Sequence, residues 1–195
     1  MSSANDGRTA VMDKIAVAAG IKRRSTWGAV PPARTLQSDW NYNSIVIHNT
    51  GHGHIDTMAK IQKFDLSVRN WDDMAYHYGI MPDGTIFEGR QIIYKGSDVY
   101  LQNTGKIGVV CLGDYDSSSI NWLNGRPYSG DPVLPAMLAS MRKLTKVLCD
   151  AFPILFFGGH IEYGKTTDCP GSTMVPYMSQ FRKEYNLQKP TKKIF

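Results

Sequence analysis

A chain of 195 residues is the size of one ordinary domain, and a domain of that length buries roughly 70% of the surface its unfolded chain exposes. Its 42% hydrophobic and 20% charged residues exclude a disordered composition, and no apolar run approaches the roughly 20 residues of a membrane-spanning helix. The formal charge of +5, from 22 Lys and Arg against 17 Asp and Glu, suits a polyanionic partner such as nucleic acid, a membrane surface or an anionic cell wall, and equally suits a basic surface that is merely solvated.

Residues 1–24 read as an N-terminal leader with one short helix around 10–19; its apolar stretch IAVAAG is short and its positive charges mostly follow it, a poor export signal. The folded unit spans 25–187, and a basic tail over 188–195 carries Lys189, Lys192 and Lys193. Within the unit, β-branched and aromatic runs ending in turn formers predict strands near 44–48 and 74–81. The pair Asp83-Gly84 predicts a hairpin leading into a strand near 85–88. The runs IGVVCLG near 107–113 and ILFFGG near 154–159 are short and continuously apolar, as expected of strands at a sheet's centre.

Helices are expected where apolar residues recur at helical spacing. One carries Met58, Ile61 and Phe64. A long one opens at Pro135 and carries Met137 or Leu138, Met141, Leu144 and Leu148; a last one follows Pro170-Gly171 with Met174, Met178, Phe181 and Tyr185. The longest loop runs from Asp114 to Pro132. Strands alternating with helices predict an α/β (α+β) fold, a central mixed sheet of about five to six strands with helices on its faces.

The cysteines at 111, 149 and 169 cannot all pair and form no CxxC unit, so a disulfide framework is not expected. Cys111 and Cys149 lie in core-forming patterns, whereas Cys169 lies in the polar stretch TTDCPG. His48 closes the first strand, His160 closes the fifth, and Cys169 follows in the next loop. Two imidazoles and a thiolate at strand ends suit zinc, and three protein ligands leave one position open, a catalytic rather than structural count. From the residues alone, two satisfied histidines and an inert thiol remain the alternative. His52 and His54 in TGHGH could form a separate site or an ordinary loop. His77 alternates with Tyr76 and Tyr78, faces the other side of its strand and is left out of the site.

The segments RSTWGA, SIVIHNT, NWDDMAYHYGIMPDGTIFEGR, KIGVVCLGDY and GGHIEYGKTTDCPG resemble, in order and interval, the superfamily of peptidoglycan recognition proteins and bacteriophage lysozyme-type N-acetylmuramoyl-L-alanine amidases. The resemblance covers about Ser25 to Tyr185. It implies one zinc ion per chain held by His48, His160 and Cys169, with Tyr76 as the catalytic tyrosine. The family's Lys or Thr two residues before the third ligand corresponds to Thr167; the loop is one residue longer here, which makes Lys165 the alternative. Arg90, in FEGR, resembles a position beside the substrate groove and could meet a stem-peptide carboxylate or sit in a surface ion pair. Relatives that use a catalytic glutamate carry it where this chain has Val110, so the tyrosine-using branch is implied, in which zinc activates water and polarises the lactyl amide carbonyl.

The implied function is hydrolysis of the bond between N-acetylmuramic acid and L-alanine of peptidoglycan. A non-catalytic peptidoglycan-binding module is the alternative, although such modules typically lack the cysteine ligand. A regulatory protein contact is a further rival. No helix-turn-helix, zinc-finger or basic-aromatic repeat supports a nucleic-acid partner. Synthesis in the cytoplasm without an evident signal peptide, with action in the periplasm or cell wall, leaves three routes: phage lysis, injection by a secretion machine, or muropeptide recycling. An injected toxin would require an immunity protein.

Overall fold

The computed structural model describes residues 2–51, 57–117, 129–164 and 167–191, with side chains from residue 7 onward. His52, His54, Lys165, Lys192 and Lys193 lie outside the described residues, as does most of the long loop after Asp114.

Five strands form one sheet: β1 (Ser44–Asn49), β2 (Tyr78–Ile80), β3 (Ile86–Glu88), β4 (Lys106–Cys111) and β5 (Phe156–Gly159). Their order is β3-β2-β4-β1-β5, with β3 antiparallel to β2 and every other pairing parallel. The Asp83-Gly84 turn makes the expected hairpin: Gly84 takes a φ of +85°, where a side chain would be strained, and Asp83 Oδ1 accepts from the Thr85 amide at 2.8 Å.

Among the described residues the α-helices are α1 (Ser2–Ala19), α2 (Met58–Ser67), α3 (Pro135–Ala151) and α4 (Val175–Tyr185). Alternation along the parallel strands sorts the two sheet faces. Ile45, Ile47, Ile107, Val109 and Cys111 point into the main core with Met137, Met141, Leu144 and Leu148 of α3 and Met178 and Phe181 of α4. Val110 and Leu112 turn the other way and meet Met58 of α2 and Met74, while Val46 packs with Val99 and Tyr163. The second face carries the site.

Four expectations are revised. ILFFGG forms an edge strand, not a central one. Its apolar character is explained by α4, whose Phe181 stacks on Phe157 at 5.1 Å, not by strands on both sides. The strand expected over 74–81 shrinks to Tyr78–Ile80 because two buried carboxylates take the preceding amides: Asp73 accepts from Met74 N and Asp65 from Ala75 N. In α2 the buried residues are Met58, Gln62 and Asp65, and Phe64 is exposed. Finally, α1 is longer than expected and packs on α3, placing Met12, Ile15 and Ala19 in the main core.

Both sheet edges are covered by segments outside the strands. Lys22 bridges β3, donating its amide to Ile86 O and accepting from Glu88 N, each at 2.8 Å. Gln188 bridges β5, accepting from Phe157 N at 3.1 Å and donating to Leu155 O at 2.8 Å.

Candidate metal centre

β1 lies between β4 and β5, so its C-terminal end opens between two strand ends, the usual place for a cleft in a parallel sheet. His48 sits there in register with Val110 and is almost fully buried. His160 is the first residue after β5 and begins a 3-10 turn, His160–Glu162, held by amides of Tyr163 and Gly164 bonding back to its carbonyl. Cys169 comes back to this turn through the Ile161 amide, which donates to Cys169 O at 2.7 Å. Thr167 Oγ1 accepts from the Cys169 amide at 3.1 Å and shapes the loop that presents the thiol.

The structure brings together the three residues expected as ligands. His48, His160 and Cys169 each offer one donor atom, all within 4.8 Å of one another. Cys169 Sγ lies 3.6 Å from His48 Nδ1. Tetrahedral zinc with Zn–N of about 2.05 Å and Zn–S of about 2.3 Å separates an N and an S ligand by about 3.6 Å. The Asn49 amide donates to Cys169 Sγ at 3.3 Å.

The electrostatics also fit a cation. Burial pulls the His48 imidazole towards neutrality, yet the Cys169 sulfur and a hydrogen bond to Asp98 outweigh it and raise its pKa to about 9. The His160 pKa falls to about 4, because burial and the neighbouring His48 both disfavour a second charge. The opposite shifts describe one site that accommodates a single positive charge. Two neutral imidazoles and a thiolate around a divalent ion satisfy that demand.

Tyr76 stands beside the trio, its ring 5.0 Å from that of His48. Burial, reinforced by Cys169 and Asp65, pushes its phenol pKa upward, so the group stays protonated and can donate. Thr167 lines the same cleft, a depression of about 930 Å³ that also takes in Arg69, Trp71, Lys95, Tyr100 and Leu101. Arg90 does not line it. It is buried, with Nε donating to Met74 O, Nη1 to Lys95 O and Nη2 to Asp73 O at 2.8–3.1 Å, and so binds the two loops on either side of β2 and β3 together. His77, also buried, accepts from the Gly108 amide at Nδ1 and meets Tyr94 O at Nε2, a structural use consistent with its omission from the site.

Sequence reasoning missed two features. Arg69 is a cation on the cleft wall beside Lys95, half-exposed, over Trp71 at 4.5 Å and paired with the buried Asp65 at 3.2 Å. Asp98, in the polar stretch KGSDVY, is buried with its Oδ2 3.0 Å from His48 Nε2. Neither stands in a periodic pattern or next to a ligand in sequence; only the nearby small residues Gly96 and Gly108 hint at a close approach.

Residues 38–172 match the family described as N-acetylmuramoyl-L-alanine amidase. Peptidoglycan-recognition protein SC1a of Drosophila melanogaster is 27% identical over 163 residues, 78% of this chain and 80% of that protein. Peptidoglycan-recognition protein SD of Drosophila simulans is 27% identical over 109 residues, 52% of this chain and 59% of that protein, so the chain spans about three fifths of the latter's length. Among solved structures, the N-acetylmuramoyl-L-alanine amidase LysC from Clostridium intestinale URNW superposes with a TM-score of 0.68 at 25% identity, over 82% of this chain and 95% of that one. Drosophila peptidoglycan recognition protein SD superposes with a TM-score of 0.70 at 20% identity, over 88% of this chain and 98% of that one, a likeness of fold. With the matched segment running from before β1 through the last of the three clustered donors, the chain belongs to the N-acetylmuramoyl-L-alanine amidase family.

Proposed function

We propose that this chain is a zinc-dependent amidase that hydrolyses the amide between N-acetylmuramic acid and L-alanine in peptidoglycan. The observation that carries the reading is the convergence of His48, His160 and Cys169 at one end of the sheet, inside the cleft. A recognition module needs the cleft but not a thiolate completing a three-donor set.

A zinc ion held there supplies Lewis acidity towards the scissile carbonyl and towards water. The protein's own groups do the rest. Tyr76, kept protonated by burial, donates a hydrogen bond to the oxygen on which negative charge develops, with the Thr167 hydroxyl or the Lys165 ammonium as second donor. Val110, fully buried and beside His48 in register, supplies no carboxylate at the position where glutamate-using relatives carry one. Arg69 and Lys95 put positive charge on the cleft wall, suited to the carboxylates of a stem peptide. Trp71, Tyr100 and Leu101 offer flat or apolar surface beside them. Such a substrate puts the site of action at the cell wall or in the periplasm.

Purified sacculi incubated with the protein, with and without chelator and re-added zinc, test the reading by mass spectrometry. The expected products are intact glycan and peptides with a free L-alanine amino group, lost in chelator and restored by zinc. New reducing sugar ends or cuts inside the peptide would overturn the assignment of the bond. Binding to sacculi without any cleavage would make the protein a recognition module.

A further inference from the structure

The second partner of His48 has no role in the reading above, and its surroundings are unusual. The Asp98 side chain is completely shielded from solvent, and the His48 side chain is 2% exposed. Asp98 Oδ2 lies 3.0 Å from His48 Nε2, and Oδ1 has no hydrogen-bond partner among the described residues. A carboxylate held out of water with one oxygen unpaired is costly, and an apolar side chain of the same size would ordinarily be favoured there.

The backbone nevertheless makes room for it. A Cβ on Gly108, in the middle of β4, would lie 2.5 Å from Asp98 Oδ2, and one on Gly96 would lie 2.5 Å from Oδ1. Any side chain at position 108 would displace the carboxylate, and real Cβ atoms essentially never approach so closely. Three positions, 96, 98 and 108, are thus shaped around one hydrogen bond to one imidazole.

We propose that Asp98 is a positioning residue for the metal centre: it holds the His48 proton on Nε2 and turns Nδ1 towards Cys169 as the ligand atom. The carboxylate can only accept, so the nitrogen facing it carries the hydrogen, and the lone pair is left on Nδ1, 3.6 Å from Cys169 Sγ. A carboxylate behind the ring also makes the other nitrogen a better donor to a metal, and loss of such a partner typically weakens metal binding by about 10–100-fold. Burial denies His48 the water molecule that could otherwise take over. This inference rests on the three-donor site as the zinc site, but not on what the protein does to peptidoglycan.

The experiment uses the full chain stripped of metal and titrated with zinc against a competing chelator, as wild type, Asp98→Asn, Asp98→Ala and the control Asp65→Asn. Nitrogen NMR of labelled histidines reads which His48 nitrogen bears the proton. Asp98→Ala is expected to bind zinc about 10–100-fold more weakly. Asp98→Asn, whose amide oxygen still accepts from Nε2–H without the charge, should fall between alanine and wild type and keep the Nε2–H form. Asp65→Asn, another buried carboxylate, should lower melting temperature and leave zinc affinity alone. Wild-type affinity in Asp98→Ala, at any melting temperature, would overturn the proposal, as would a zinc-loaded protein in which His48 binds the metal through Nε2 and carries its proton on Nδ1. Should the alanine variant not fold, unchanged affinity in Asp98→Asn overturns it equally. Tight zinc binding by wild type without hydrolysis of sacculi would sink the amidase function and leave this inference standing.

Discussion

Cys169 Sγ lies 3.6 Å from His48 Nδ1 although 121 positions separate the two residues in the chain. Their meeting depends on β1 and β5 being adjacent and on the turn after β5 folding back so that Ile161 N bonds to Cys169 O. Protein purified without added metal should therefore carry close to one zinc ion per chain, and Cys169→Ser should carry far less. Because the loop is held through the Cys169 main chain, by Ile161 N donating to its carbonyl and its amide donating to Thr167 Oγ1, and not through the thiol, activity should fall much further than melting temperature. Elemental analysis beside a thermal melt checks both, and full activity in chelator would eliminate the metal centre.

Replacing Tyr76 by Phe removes a hydroxyl beside the trio while leaving the ring against His48. Zinc content and KM should stay near wild type, and kcat should drop by roughly 10²–10³, the effect of one lost oxyanion donor. A kcat within twofold of wild type would remove Tyr76 from the mechanism.

The second donor is tested by contrast. Thr167 Oγ1 already accepts from the Cys169 amide, and among the described residues no group accepts its hydrogen, which can donate into the cleft. Thr167→Val should lose turnover, Thr167→Ser should keep most of it, and Lys165→Met should stay near wild type. The reverse ranking, with zinc content measured in each variant, would transfer the role to Lys165.

Leu101 has a φ of +57° in a turn closed by Gln102 N donating to Val99 O at 2.9 Å, and its side chain is 67% exposed at the cleft. A leucine in left-handed conformation costs roughly 1 kcal/mol that a glycine does not. Leu101→Gly should therefore leave melting temperature unchanged or raise it, while KM on sacculi rises because apolar surface is lost beside the substrate. A lower melting temperature with unchanged KM would make the residue a purely structural one.

The parts of this molecule legible in its sequence are those written in periodicity. Met141, Leu144 and Leu148 announced α3, and SIVIHNT announced a buried strand that delivers His48 to the cleft. Where a tertiary partner decides, the letters carried less. Whether ILFFGG is central or peripheral depends on Phe181 covering it, and whether Arg90 reaches substrate depends on three carbonyls that its guanidinium finds in other loops. Asp98 illustrates the limit most clearly: in a polar stretch it reads as a solvated loop residue, and its burial follows from Gly108 on a strand that comes later in the chain.

The bridges made by Lys22 and Gln188 have a meaning for the molecule as a solute. An unprotected strand edge offers a row of free amides and carbonyls to any other chain, and is where sheets from separate molecules join. Here the segment before the amidase-like unit occupies the outer rim of β3, and the segment after it occupies the rim of β5. Lys22 and Gln188, neither of which lines the cleft, thereby act as guards against self-association, and keep the sheet from recruiting its own copies.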